Sequence, residues 1–270
     1  IIPALTSNKD ILLYDELSHS STNIGIKLSN AKSIKFKHND INHVELLLKK
    51  HRQKYFHCFI FTEGVFSMDG DRGKIKELAF LAKKYNSSII LDDAHGFGVL
   101  GNGRGSLYEY NPIPEILVQM GTLSKAIGSY GGFVTAPKTI IRLLHNKARS
   151  LIYTTGLPPG TLAASIKSLE IIMSNSEITH KPYKYAKLFC EIAQLPIPES
   201  SIVSIILHSE ENAIKASKLL EKNGYYIGAI RPPTVPKNTS RLRFTFSSSH
   251  KKKDIINLAK LTKNILRRIN

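Results

Sequence analysis

Apolar residues recur along the first two thirds of the chain in two rhythms. Short runs rich in β-branched and aromatic residues stand at 11–14, 33–36, 55–62, 88–91, 116–120 and 133–136. The apolar runs at 88–91 and 116–120, each breaking into a Gly-rich turn, predict buried parallel strands. Between the runs the spacing turns helical, at 20–28, at 39–48 behind an Asn39-Asp40 cap, at 74–85 and at 138–150. In the 74–85 segment Ile75, Leu78, Ala79, Leu81 and Ala82 form one buried stripe. This alternation predicts an α/β fold with a mostly parallel sheet. A helix at 162–174 then hands over to a smaller α+β domain with strands at 202–207, ending at 230, and at 241–246, and helices at 211–223 and 252–269. The expected domains are residues 1–176 and 177–270, and the Pro-rich run 231–238 is a loop.

At 270 residues and 42% apolar composition the chain can bury a core for one large domain and one small one. No apolar run reaches the roughly 18 residues a membrane-spanning helix needs. Residues Ile1-Ile2-Pro3-Ala4-Leu5 read as a short helix with no basic region ahead of them, unlike a signal peptide. Cys58 in a strand-like run and Cys190 in a helix-like one are expected to pack as small hydrophobes in a reducing cytoplasm. The formal charge of +17 invites a nucleic-acid reading, but the lysines are scattered and dense only at 251–253 and, as arginines, at 267–268. No zinc spacing or aromatic-basic stripe accompanies them, so neither nucleic acid nor membrane is expected as a partner. Solvated lysine on helix faces is the plain account, and a basic rim would suit an acidic carrier protein or the phosphates of coenzyme A.

Chemistry concentrates where two apolar runs end. Leu91-Asp92-Asp93-Ala94-His95-Gly96 follows one, and Gly121-Thr122-Leu123-Ser124-Lys125 closes the other. In an open α/β sheet the ligand crevice lies beyond the carboxyl ends of the strands, which would bring a carboxylate, an imidazole and an amine together. That trio suits pyridoxal phosphate. A desolvated lysine can bind the cofactor aldehyde as a Schiff base, a carboxylate can keep the pyridine nitrogen protonated, and an imidazole can bond the ring hydroxyl. Lys125, Asp92 and His95 fill these places. Taken singly, each also has a plain reading as a turn, a cap or a surface group.

Residues 62–71 (Thr-Glu-Gly-Val-Phe-Ser-Met-Asp-Gly-Asp), 91–98, Gly103-Arg104-Gly105, 121–125 with Gly131-Gly132, and Arg231-Pro232-Pro233-Thr234-Val235-Pro236 resemble the α-oxoamine synthases. These are fold-type I, aspartate aminotransferase-like pyridoxal phosphate enzymes that join an amino acid to an acyl thioester and release carbon dioxide. Within the family the likeness is greatest to the biotin-pathway member, which uses L-alanine and a pimeloyl thioester of coenzyme A or acyl carrier protein. The runs 153–159 and 231–236 favour it over the glycine-using 2-amino-3-oxobutyrate ligase and 5-aminolevulinate synthase. The resemblance implies that His19 stacks on the cofactor ring and meets the substrate, and that Ser67 and Thr122 touch the cofactor. It implies that Thr155, within Tyr153-Thr154-Thr155-Gly156-Leu157-Pro158-Pro159, reaches the cofactor phosphate of a neighbouring subunit in a homodimer with shared active sites. Thr234 and Arg243 are implied substrate contacts, Arg243 gripping the amino-acid carboxylate with two parallel hydrogen bonds. Relatives carry about a hundred residues ahead of the point matching Ile1, including the helix start that holds the cofactor phosphate. An inactive, shortened remnant is therefore the competing expectation.

Overall fold

The computed structural model describes residues 1–269. They form two compact units, Ile1–Phe66 with Arg72–Ser174, and 67–71 with the chain from Asn175 onward. The division between Ser174 and Asn175 falls close to the expected 176/177. The 67–71 turn, expected within the first domain, groups with the second unit instead.

The first unit contains α1 (Ile2–Leu5), β1 (Ile11–Asp15), α2 (Ser20–Lys27), β2 (Lys32–Phe36), α3 (Ile41–His51), β3 (Cys58–Glu63), α4 (Ile75–Lys84) and β4 (Ser88–Asp92). It continues with β5 (Val118–Thr122), β6 (Gly132–Thr135), α5 (Lys138–Lys147), α6 (Arg149–Ile152) and α7 (Pro159–Ser174). The strands form one sheet in the order β2-β1-β3-β4-β5-β6, parallel except for β6, which runs antiparallel to β5. The link from Thr122 to Gly132 has no room for a crossover helix, so the chain must fold straight back.

Side-chain alternation sends β1, β3 and β4 into two cores. Ile11, Leu13, Cys58, Ile60, Ile89 and Leu91 pack with residues of α3 and α4, while Leu12, Phe59, Phe61 and Ile90 pack with Ile2 of α1 and Ile26 of α2. Full burial of each such side chain contributes about 1.5–3 kcal/mol. With both faces covered, the carboxyl edge is where polar side chains can gather, and the ends of β1, β3, β4 and β5 all lie there. The chain leaves β1 for β2 on one side and returns for β3 on the other, the switch point beside which ligands of such sheets bind.

In the second unit β7 (Ile202–His208), β8 (Gly228–Ile230) and β9 (Ser240–Thr245) form an antiparallel sheet in the order β7-β9-β8. The helices α8 (Ser176–Ala193), α9 (Glu210–Glu221) and α10 (Lys252–Ile269) share its core, which includes Phe189, Ala216, Leu242, Phe244 and Leu258. Residues 176–193, where only the surroundings of Cys190 read as helical, form one helix that runs through Pro182 and is capped by the Asn175 side chain. The dense basic runs, 251–253 and 267–268, are exposed at the two ends of the α10 region. Cys58 and Cys190 are free thiols, one in a core of each unit. Among the described residues no helix is long and apolar enough to cross a membrane.

Candidate functional site

The carboxyl edge of the six-stranded sheet is stitched past the strand ends. Gly64 N–H donates to the Asp92 carbonyl at 2.7 Å, and Asp93 N–H donates to the Met120 carbonyl at 2.8 Å. These bonds hold the loops after β3 and β4 in register with their neighbours, so Glu63 stands directly beside Asp92. Both carboxyls are almost fully buried, 3% and 7% exposed. Burial, then the neighbouring Asp92 charge, pushes Glu63 up to about 8. Burial raises Asp92 as well, opposed by the Ala94 N–H on its Oδ1 at 3.0 Å and by the positive charges of Lys125 and His19.

Asp93 points elsewhere. Its Oδ2 accepts the Ser106 N–H and a Gln119 Nε2–H, each at 2.9 Å, and burial pushes its carboxyl up to about 6. Backbone packs tightly against it: a Cβ on Gly96 would stand 2.1 Å from Oδ1, and one on Gly105, whose φ is +106°, 2.2 Å from Oδ2. Asp93 thus pins the loop that carries Asp92 and His95.

Lys125 lies on the turn between β5 and β6. Thr122 Oγ1 donates to the Gly131 carbonyl at 3.1 Å and accepts the Ser124 N–H at 3.2 Å, closing that turn. Thr122 Oγ1 also lies 2.7 Å from Ser124 Oγ, so the hydroxyl takes part in closing the turn. Lys125 Nζ sits 2.9 Å from His95 Nε2. Lys125 is exposed, where a desolvated amine was expected, because its turn projects beyond the last rung of the ladder. His19 is the N-cap of α2: its Nδ1 accepts the Ser21 N–H at 3.2 Å, which leaves the proton of a neutral ring on Nε2.

The structure thus brings His19, Asp92, His95, Thr122 and Lys125 to one edge. Thr155 lies exposed between α6 and α7. Ser67, expected on the same sheet edge as Asp92 and Thr122, falls in the second unit because the chain turns away after Phe66; its carbonyl accepts the Arg243 Nε–H at 2.6 Å. Arg243 Nη1 also donates to Thr245 Oγ1 at 3.1 Å. Thr234 is exposed in the loop before β9, its N–H on the Arg231 carbonyl at 3.0 Å. Glu63 and Asp93 escape a reading of motifs alone. The one available signal is an acid closing a strand that is otherwise wholly apolar or hydroxylated.

The donor set fits pyridoxal phosphate: a buried carboxylate for a ring nitrogen, an imidazole for a ring oxygen and an amine for an aldehyde converge on one strand edge. Residues 1–261 match the family described as aminotransferase class I and II. An 8-amino-7-oxononanoate synthase from Granulibacter bethesdensis is 46% identical over 266 residues, covering 98% of this chain and 69% of that protein. One from Methylocella silvestris is 44% identical over 267 residues, covering 99% and 76%. Among solved structures, 8-amino-7-oxononanoate synthase from Francisella tularensis superposes with a TM-score of 0.82 at 29% identity, over 99% of this chain and 78% of that one. Serine palmitoyltransferase from S. paucimobilis, solved with a bound PLP–myriocin aldimine, superposes with a TM-score of 0.93 at 27% identity, over 99% and 69%.

Proposed function

We propose the reaction of this chain from one premise: it belongs to the aminotransferase class I and II family and, within it, to the 8-amino-7-oxononanoate synthases. The reaction joins the α-carbon of L-alanine to the carbonyl of a pimeloyl thioester, on coenzyme A or acyl carrier protein, releasing carbon dioxide and the free thiol and yielding 8-amino-7-oxononanoate for biotin. Bound pyridoxal phosphate supplies an electron sink for the bonds broken at the α-carbon. The observation that carries this reading is Lys125 Nζ beside His95 Nε2, on the strand edge that also holds the buried Asp92.

Lys125 Nζ would anchor the cofactor covalently and, as a free amine once alanine has taken its place, would accept the proton from the alanine α-carbon. Asp92 would hold the ring nitrogen and keep it protonated, and its burial would strengthen that interaction. His95 Nε2 would bond the ring oxygen, and the His19 imidazole would stack on the ring and meet the substrate. Ser67, Thr122 and Thr155 are the further cofactor contacts, Thr155 toward a partner subunit of a homodimer. Arg243 holds the alanine carboxylate. Because its Nε is given to the Ser67 carbonyl, the guanidinium offers the carboxylate its two Nη groups. Thr234 completes the substrate contacts, and the cytoplasm is the proposed location.

Purified protein mixed with pyridoxal phosphate, L-alanine and pimeloyl-coenzyme A should release carbon dioxide and form the oxononanoate, with glycine a poor replacement. Lys125→Ala should abolish both the reaction and the visible absorbance of bound cofactor. Wild-type protein that stays colourless with excess cofactor would sink the reading in favour of an inactive chain. Faster turnover with glycine than with alanine would move it to a glycine-using relative.

A further inference from the structure

Glu63 occupies a place that the proposed chemistry leaves unused. It ends β3, and the residue after it is tied to the neighbouring loops: Gly64 N–H is held by the Asp92 carbonyl, and Gly73 N–H by the Gly64 carbonyl at 3.2 Å. From that base its side chain reaches across the sheet edge, where Oε1 accepts the His19 backbone N–H at 2.6 Å, a contact spanning 44 residues of sequence. Among the described residues the other hydrogen bonds of His19 go to its own helix start: its ring accepts the Ser21 N–H, and its carbonyl accepts the N–H groups of Thr22 and Asn23 and an Nδ2–H of Asn23. Those bonds define the turn. They do not attach it to the neighbouring strand.

An N-terminal cap whose own N–H is taken by a buried side chain has its position set by that side chain. The acid suits the task. With burial and Asp92 pushing it up to about 8, Glu63 is largely protonated at neutral pH, so its use to His19 is as an acceptor oxygen and not as a charge.

We propose that Glu63 is a positioning residue: its Oε1, by accepting the His19 N–H, fixes where the His19 imidazole stands relative to Asp92 on the sheet edge. The contact concerns this chain's own residues. Only its consequence for the cofactor rests on the pyridoxal phosphate reading.

Two variants separate acceptor from charge. Glu63→Gln keeps a carbonyl oxygen at the same reach, and Glu63→Met keeps the bulk without an acceptor. Hydrogen exchange followed by mass spectrometry, on peptides resolving the His19 amide, should show near wild-type protection in Glu63→Gln and a loss of about tenfold or more in Glu63→Met. Peptides over β4 and α4 should stay protected in all three proteins. Should Glu63→Met lose protection across the whole sheet, Glu63→Asp takes its place; it keeps the carboxyl group but is one methylene too short, and should lose protection at His19 alone. A His19 amide as protected in Glu63→Met or Glu63→Asp as in wild type, or as exposed in Glu63→Gln as in Glu63→Met, would overturn the proposal. In parallel, pyridoxal phosphate affinity followed by absorbance should fall about tenfold in Glu63→Met and far less in Glu63→Gln. If wild type takes up no cofactor, the functional reading fails while the exchange result still decides the part played by Glu63.

Discussion

In the six-stranded sheet of the first unit, Asp15, Glu63, Asp92 and Thr122 each close a strand. In the three-stranded sheet of the second, Arg241 and Arg243 sit inside β9. The difference follows from what covers each sheet. Helices pack on both faces of the first, so a polar side chain in mid-strand must find a partner, as Gln119 does at Asp93, and chemistry gathers at the ends. One face of the second shares a core with helices: Leu242 and Phe244 enter it, and Arg241 and Arg243 alternate away from it. There the 67–71 segment receives them, Arg241 ion-pairing with the Asp69 carboxylate and donating to the Met68 carbonyl at 3.3 Å, and Arg243 donating to the Ser67 carbonyl. Chemistry at strand ends is aimed by register, and chemistry in mid-strand by whatever caps the open face.

Removing the amine at the parallel edge should have the largest effect: Lys125→Ala lowers kcat on the order of 10³-fold or more while leaving the fold intact, checked by turnover and circular dichroism. Phe244→Ala empties the second core and should cost about 3–5 kcal/mol, read as early loss of that unit in chemical denaturation while the first holds. Equal loss in both units would remove the separation drawn above. Arg243→Lys keeps the charge but not the planar fork, and KM for alanine should rise roughly 10- to 100-fold with a smaller change in kcat.

A pH series tests the buried acid at the edge. Glu63 rises from 4.5 to about 8 on folding, so the folded chain binds the extra proton between those values. The carboxyl costs no stability below about pH 4.5; its cost grows as pH rises and levels off above about 8. Glu63→Gln removes this titration, so its advantage over wild type in unfolding free energy should widen by up to roughly 1.4 kcal/mol per pH unit across that window. A flat difference would mean the side chain is better solvated than its burial implies. The smallest effect belongs to the open face: Thr245→Val deletes one hydrogen bond to Arg243 and should raise KM for alanine roughly three- to tenfold.

Much of the first unit was legible because strand period and helix stripe never conflict there. Ile75, Leu78, Leu81 and Ala82 lie on one buried face, and the apolar runs ending at Leu91 and Met120 lead into the loops that bear His95 and Lys125. Residues 176–193 were obscured by Pro182, whose cost to a helix is outweighed by the burial of Tyr185, Ala186, Phe189 and Cys190 on one side. The antiparallel course of β6 left no mark in its composition, since direction is set by the link before it. Glu63 and Asp93 resist motif reading for a similar reason. What they do depends on His19 and Ser106, neighbours brought to them only by folding.

The lone thiol in each core has a practical use. Burial raises both, Cys190 to about 11, so neither is a ready nucleophile while its own unit stays closed. Alkylation in rising denaturant, followed by peptide mapping, would therefore time the opening of the two halves separately within one molecule, with no label engineered into either.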